Sequence, residues 1–214
     1  MSILLRMTLA FLIMQLSLPA TGQPRSELSR DRFSDVRAEI QDKPNAVIVF
    51  GDSIVEWAPL PKAICGVPVI NGGVAGVGIR YFQQHSAALL GSSRPTLIVL
   101  AVGINDTTSS EATQQFRSRY QETVTFLSSR APVILATVTP VWDGPAAAGY
   151  KPIVVPLLNE MIRSTVGARK IAELNEPLAK TNRTIDGVHL SADGYVLWLR
   201  AIVQGIEAAL DCTA

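Results

Sequence analysis

The chain has 214 residues, 48% hydrophobic and 17% charged, enough for one domain with a sizeable core and too few for two large ones. Its formal net charge of +1 leaves no basic stripe for nucleic acid and no acidic block that would behave as a solvated tail.

Arg6, the apolar run 7–18 and the small-residue exit Pro19-Ala20-Thr21-Gly22-Gln23 form the three parts of a secretory signal peptide. The run is shorter than the roughly 18 to 20 residues that a bilayer span needs, so residues 1–22 are expected to be removed, after Gly22 or Ala20. The remaining domain, residues 23–214, is then secreted or periplasmic, with no stable membrane insertion. Export permits a disulfide between Cys65 and Cys212, which are far apart in the chain; two buried free thiols are the other reading of the pair. No Cys/His cluster has metal-ligand spacing, so no protein-bound zinc is expected.

Residues 26–41 are polar with Leu28, Phe33, Val36 and Ile40 near helical spacing, which predicts a surface helix ended by Lys43-Pro44-Asn45. The apolar run 46–50 is a buried strand that stops at Gly51-Asp52-Ser53, and Pro59 and Pro61 allow only a short helix after it. A second strand, 67–70, enters the glycine-rich stretch 71–78, and a helix follows over 79–90. The third strand, 96–102, is apolar on both faces, as parallel strands tend to be, and runs into Gly103-Ile104-Asn105-Asp106. Thr108 and Glu111 read as a capping box for a helix to about Ser129 that carries Ala112, Phe116, Tyr120, Val124 and Leu127 on one face. A fourth strand over 132–138 leads to a Pro, Gly and Ala-rich loop around Trp142, then a helix over 156–166 and a fifth strand over 170–174. Residues 175–186 are polar and irregular, and Ser191 caps a last helix lined by Tyr195, Leu199, Ile202, Ile206 and Leu210. This strand and helix alternation calls for an α/β fold, a parallel sheet covered on both sides.

In such a sheet the ligand crevice lies beyond the carboxyl ends of the strands, where Ser53, the glycine loop and Asn105 all fall. Ser53 as a plain helix cap is the competing reading of Gly-Asp-Ser taken alone. A serine nucleophile needs a base, and the chain has two histidines. His85 falls beside the apolar face of the 79–90 helix, where packing is its expected role. His189 follows Asp186 by three residues, so the carboxylate can reach Nδ1 and leave Nε2 to accept the serine proton; a polar pair beside a helix cap is the alternative. Backbone N–H groups of the glycine loop and the Asn105 amide can face a developing oxyanion, or else only brace their own turns. The G-x-S-x-G pattern fails at Val55, and neither a Walker A lysine nor a G-x-G-x-x-G spacing is present.

Gly51-Asp52-Ser53, the glycine loop, Gly103-Ile104-Asn105-Asp106 and Asp186-Gly187-Val188-His189, in this order, resemble the four signature blocks of the SGNH hydrolases, the GDSL-type esterases and lipases. The resemblance implies a three-layer α/β/α flavodoxin-like sandwich with five parallel strands. It implies Ser53 as nucleophile, His189 as base and Asp186 as its orienting partner. The oxyanion donors would be Gly76, Asn105 and the Ser53 backbone N–H, and no cofactor is required. Ile54 replaces the leucine of the GDSL name. Ala75-Gly76-Val77 departs from the Ser-Gly-Asp frequent in the family, so Gly73 competes with Gly76 as donor. Asp52 and Asp106 are expected to brace loops. The implied function is hydrolysis of carboxylic esters in small-molecule, carbohydrate or lipid substrates, with short acyl groups such as acetyl suggested by a chain too small for a lid domain. An O-acyltransferase acting on sugar hydroxyls and a non-catalytic carbohydrate-binding module are the alternatives. Trp57 and Trp142, near strand ends, could line an acyl or sugar subsite or pack in the core.

Overall fold

The computed structural model describes residues 25–165 and 170–212. The expected signal segment lies outside these residues. At the centre is β1 (Val47–Gly51), five residues of Val, Ile, Phe and Gly that are all buried, as expected of a strand covered on both faces. It pairs in parallel with β3 (Val67–Gly73) on one side and β4 (Leu97–Ala101) on the other. β5 (Val133–Ala136) and β6 (Lys170–Ala172) continue the parallel sheet beyond β4. A two-residue strand, β2 (Ala63–Ile64), pairs antiparallel with β3 and makes the sheet six-stranded, in the order β2-β3-β1-β4-β5-β6. The five parallel strands are those expected and have the flavodoxin-like order; β2 is an addition. Its two residues, wedged between Pro61 and the Cys65-Gly66 turn, are too few to carry any period.

Helices α1 (Arg25–Asp42), α3 (Ile79–Leu90), α4 (Ser110–Ser128) and α5 (Val155–Thr165) pack side by side over one face. The other face carries α7 (Ala192–Ala209), packed on β4, β5 and β6, whose Tyr195 hydroxyl donates to the Ile54 carbonyl of the short helix α2 (Ser53–Glu56). Tyr195, Trp198, Ile202 and Ile206 bury the inner face of α7, with Trp198 in place of the expected Leu199 as its largest fully buried side chain. A further short helix, α6 (Asn175–Leu178), occupies part of the stretch read as irregular; β6 ends early because the Leu174 and Asn175 N–H groups turn to donate to Thr137 Oγ1. The cap of α4 is Ser109, which accepts from the Ala112 N–H, rather than Thr108. Thr108 is used by the preceding turn, its hydroxyl donating to the Asn105 carbonyl.

The register of the sheet places the site. Gly51 is level with Gly73 on one side and Ala101 on the other, so the chains leaving β1, β3 and β4 emerge beside one another at one edge. Ser53, the 74–78 turn and Asn105 therefore meet without any one segment having to reach.

Cys65, in the β2–β3 turn, and Cys212, after α7, form a disulfide with their Cα atoms 6.1 Å apart. It closes a loop of sequence separation 147, for which the chain-entropy account allows up to about 5 kcal/mol of stabilisation. Replacing Cys65 with serine should lower the thermal midpoint substantially. Reductant should lower the wild type toward the variant and leave the variant unmoved; equal midpoints for the two proteins without reductant would contradict this.

Candidate active site

Ser53 is the first residue of α2, and Asp52 caps that helix by accepting from the Ile54 N–H at 3.0 Å. The strand-to-helix turn thereby holds the Ser53 hydroxyl at the rim of the sheet. Its Oγ lies 3.0 Å from His189 Nε2. On the far side of the ring, His189 Nδ1 is 2.6 Å from Asp186 Oδ2. The other carboxylate oxygen of Asp186 accepts from the backbone N–H of Val188 at 3.0 Å and of His189 at 2.8 Å. One oxygen thus fixes the turn and the other fixes the imidazole. Burial opposes ionisation of Asp186, but the hydrogen bonds from the His189 ring and from the two backbone N–H groups outweigh it and hold the carboxyl below its ordinary value. An ionised carboxylate can only accept, so Nδ1 carries the proton of the neutral imidazole and Nε2 is the acceptor facing Ser53.

These groups open into a cleft of about 860 Å³ whose walls include Ser53, Trp57, Gly76, Asn105, Tyr150 and His189. Gly76 has φ +76, a left-handed conformation that suits glycine, with open space where a Cβ would stand. Gly73, its competitor, is committed elsewhere: its N–H donates to Asn71 Oδ1 and its carbonyl accepts from Arg32 Nε. Asn105 Nδ2 donates to the Val77 carbonyl at 2.9 Å, which uses one of its two amide hydrogens. Its Oδ1 accepts from the Tyr150 hydroxyl at 2.9 Å. The two partners together fix which way the amide faces. His85 does not line the cleft; its ring packs against Phe33 and Tyr81, with centroids 5.7 and 4.7 Å away.

No sequence motif marks Tyr150, which belongs to the Pro, Gly and Ala-rich loop after β5. The same loop grips the Asp186 turn. The Trp142 N–H donates to the Gly187 carbonyl at 2.8 Å and the Ala146 N–H to the Asp186 carbonyl at 3.0 Å. Gly187 has φ +95, and a Cβ there would come 2.4 Å from the Trp142 carbonyl oxygen. One loop therefore braces both the Asp186-His189 turn and the Asn105 amide. Trp142 contributes backbone contacts and does not line the cleft, whereas Trp57 is half exposed on its wall. Removing only the phenol oxygen, in Tyr150→Phe, should free the amide to rotate and lower kcat by about tenfold, a fraction of the cost of deleting an oxyanion donor, with KM little changed. A rise in KM at constant kcat would instead make Tyr150 a ground-state substrate contact.

Asp52 and Asp106 act on the loops. Both Asp106 oxygens accept from the Ile79 N–H, at 3.0 and 3.3 Å, capping α3 where Gly78 has no side chain to do so. Burial pushes the Asp106 carboxyl up to about 6 against the Ile79 N–H and the Arg119 charge. Burial likewise pushes Asp52 up to about 7 against the Ile54 N–H, with the charge of Asp106 adding to the rise. In the unfolded chain both titrate near about 3.9, so the folded protein holds more protons between about pH 4 and 7 and loses stability as pH rises through that window. Asp52→Asn keeps an acceptor for Ile54 and removes the larger shift. Urea unfolding at about pH 5 and about pH 7.5 should show a smaller loss for the variant than for wild type; equal losses would place the pH dependence in other groups.

Among the described residues no group of three or more His, Cys, Asp or Glu is placed to hold a metal ion, and no helix is long and apolar enough to cross a membrane.

A GDSL-like lipase from Bacteroides thetaiotaomicron has a similar structure, at 20% identity and a TM-score of 0.69, covering 84% of this chain and 97% of that one. A mutant of an acetylxylan esterase from Geobacillus stearothermophilus is similar at 15% identity and a TM-score of 0.63, covering 76% and 94%. A member of the lipolytic G-D-S-L family from Veillonella parvula is similar at 18% identity and a TM-score of 0.59, covering 75% and 97%. At these identities the likeness is one of fold. No curated protein gave a match. The model of the GDSL-like lipase/acylhydrolase family matches residues 49–197, a span that holds the end of β1, all of β2 to β6 and every residue of the cleft just described from Ser53 to His189, and the chain belongs to that family.

Proposed function

We propose that the protein is an exported serine esterase that hydrolyses carboxylic esters of short acyl groups, acetyl among them, through an acyl-enzyme on Ser53. The observation that carries this reading is the run of contacts from Ser53 Oγ to His189 Nε2 at 3.0 Å and from His189 Nδ1 to Asp186 Oδ2 at 2.6 Å, opening on a cleft that also holds Gly76 and Asn105. His189 takes the Ser53 proton as the hydroxyl attacks the ester carbonyl, and the oxyanion that forms is met by the N–H groups of Ser53 and Gly76 and the Asn105 amide. The alcohol leaves with the proton from His189. Water, deprotonated by the same imidazole, then releases the acid and restores Ser53. Asp186 holds the ring in the tautomer that makes this possible.

Export is supported by the signal-like residues 1–22 and by the Cys65–Cys212 disulfide, since such bonds persist in oxidising compartments. An acetyl preference is supported by the fold's likeness to an acetylxylan esterase. The deciding experiment is a panel of nitrophenyl esters from acetate to long chains, with acetylated sugars and lysophospholipids alongside and Ser53→Ala as control. Acetate should be turned over fastest; no turnover of any ester would end the hydrolase reading, and a long-chain optimum the short-acyl one.

A further inference from the structure

Acyl transfer dictates where the alcohol half of an ester lies. When the tetrahedral carbon on Ser53 collapses, its bond to the alcohol oxygen breaks, and that oxygen takes from His189 Nε2 the proton that came from Ser53 Oγ. The departing oxygen must then be within hydrogen-bond reach of Nε2, on the imidazole side of the cleft. The carbons attached to it lie against whatever covers the imidazole.

Trp57 covers it. The indole and imidazole centroids are 4.2 Å apart with an interplanar angle of 32°. The Trp57 backbone N–H donates to the Ser53 carbonyl at 3.0 Å, so the main chain that carries the indole is fixed one helical turn from the nucleophile. Trp57 is nevertheless 50% exposed, with part of its surface spent on His189 and the rest open on the cleft wall. The core therefore does not claim it. The cleft wall is also charged: Glu56, which accepts from the Ala75 N–H, precedes Trp57 on the same turn, and Arg80 and Arg32, the latter donating to the Gly73 and Asn71 carbonyls, line the same cleft. A long alkyl alcohol would strip water from those charges without replacing its hydrogen bonds, whereas hydroxyl groups would replace them. A flat apolar plate with an electron-rich face, in a cleft that charged groups also line, suits a polyhydroxylated ring that offers a C–H face and hydroxyl edges.

We propose that Trp57 is the subsite for the alcohol half of the substrate and that it takes a pyranose-like ring, so that the physiological ester is an acylated sugar. The proposal rests on ester hydrolysis at Ser53. It assigns Trp57 to the leaving-group side and leaves the acyl group to the opposite side of the cleft.

Two acetate esters that differ only in the alcohol test it: ethyl acetate and a mono-acetylated methyl pyranoside, each with wild type, Trp57→Ala and Trp57→Phe. Trp57→Ala should slow both, because His189 loses its neighbour, but kcat/KM for the pyranoside should fall by about tenfold more than for ethyl acetate, chiefly through KM. Trp57→Phe, which keeps a smaller flat ring, should recover part of that difference. Equal losses on the two esters would overturn the subsite and leave Trp57 acting only on His189; no loss on either would overturn the subsite and the effect on His189 alike. A wild-type protein inert on both esters would overturn the hydrolase reading itself and the subsite with it.

Discussion

Replacing Ser53 with alanine should lower ester hydrolysis by roughly 10⁴- to 10⁶-fold while leaving the fold in place. Among the described residues the side chain hydrogen-bonds to His189 alone, and the cap of α2 is made by Asp52 and Ile54, so the helix start does not depend on the hydroxyl. Alanine is also a good residue for the first turn of a helix. Circular dichroism and the thermal midpoint should therefore stay close to wild type as turnover falls to the level that the remaining donors support. Activity within about tenfold of wild type would remove Ser53 from the nucleophile's role and return it to capping.

Asp186→Asn tests the other end of the chain of contacts, and its effect on kcat should approach about 10⁴-fold. The amide oxygen of asparagine can still accept from the Val188 and His189 N–H groups, so the turn is kept. Its nitrogen then faces His189 Nδ1, where Oδ2 now accepts at 2.6 Å. Two donors cannot share one proton site, so Nδ1 becomes the acceptor and the ring proton moves to Nε2. Nε2 would then donate to Ser53 Oγ instead of accepting from it. Geometry is preserved and the chemistry is lost, because the wrong nitrogen carries the proton. Steady-state kinetics, with a thermal melt as control, checks this; a loss of only a few-fold would mean that Asp186 shapes the turn without setting the tautomer.

What could be read in the sequence was what short stretches specify locally. The first strand stands out because five apolar residues end at a glycine, and the helix over 79–90 because its apolar residues recur on one face between a glycine on either side. Three of the four polar blocks could be placed at one edge because strand ends in a parallel sheet share an edge, whereas the Asp186-His189 turn follows no strand end. Other features depend on contacts between segments remote in sequence. The Tyr150 to Asn105 hydrogen bond spans 45 residues and has no pattern at either end. The grip of the Trp142–Ala147 stretch on Asp186 and Gly187 uses backbone groups, which no side-chain motif records. Ser109 and Thr108 are adjacent hydroxyl residues, and only the turn that consumes Thr108 decides between them as the cap. Trp57 follows a four-residue helix, and only the direction of that helix determines whether its indole enters the core or the cleft. The pairing of Cys65 with Cys212 needed the fold to bring the β2–β3 turn to the end of α7.

The central claim is that Ser53 forms the covalent bond to the acyl group. Treating the protein with diisopropyl fluorophosphate and mapping the product by peptide mass spectrometry measures this directly. One phosphoryl group should be found per chain, on the peptide that carries Ser53, with ester hydrolysis lost in proportion to labelling. Label on another residue, or full labelling of Ser53 with hydrolysis undiminished, would contradict the claim.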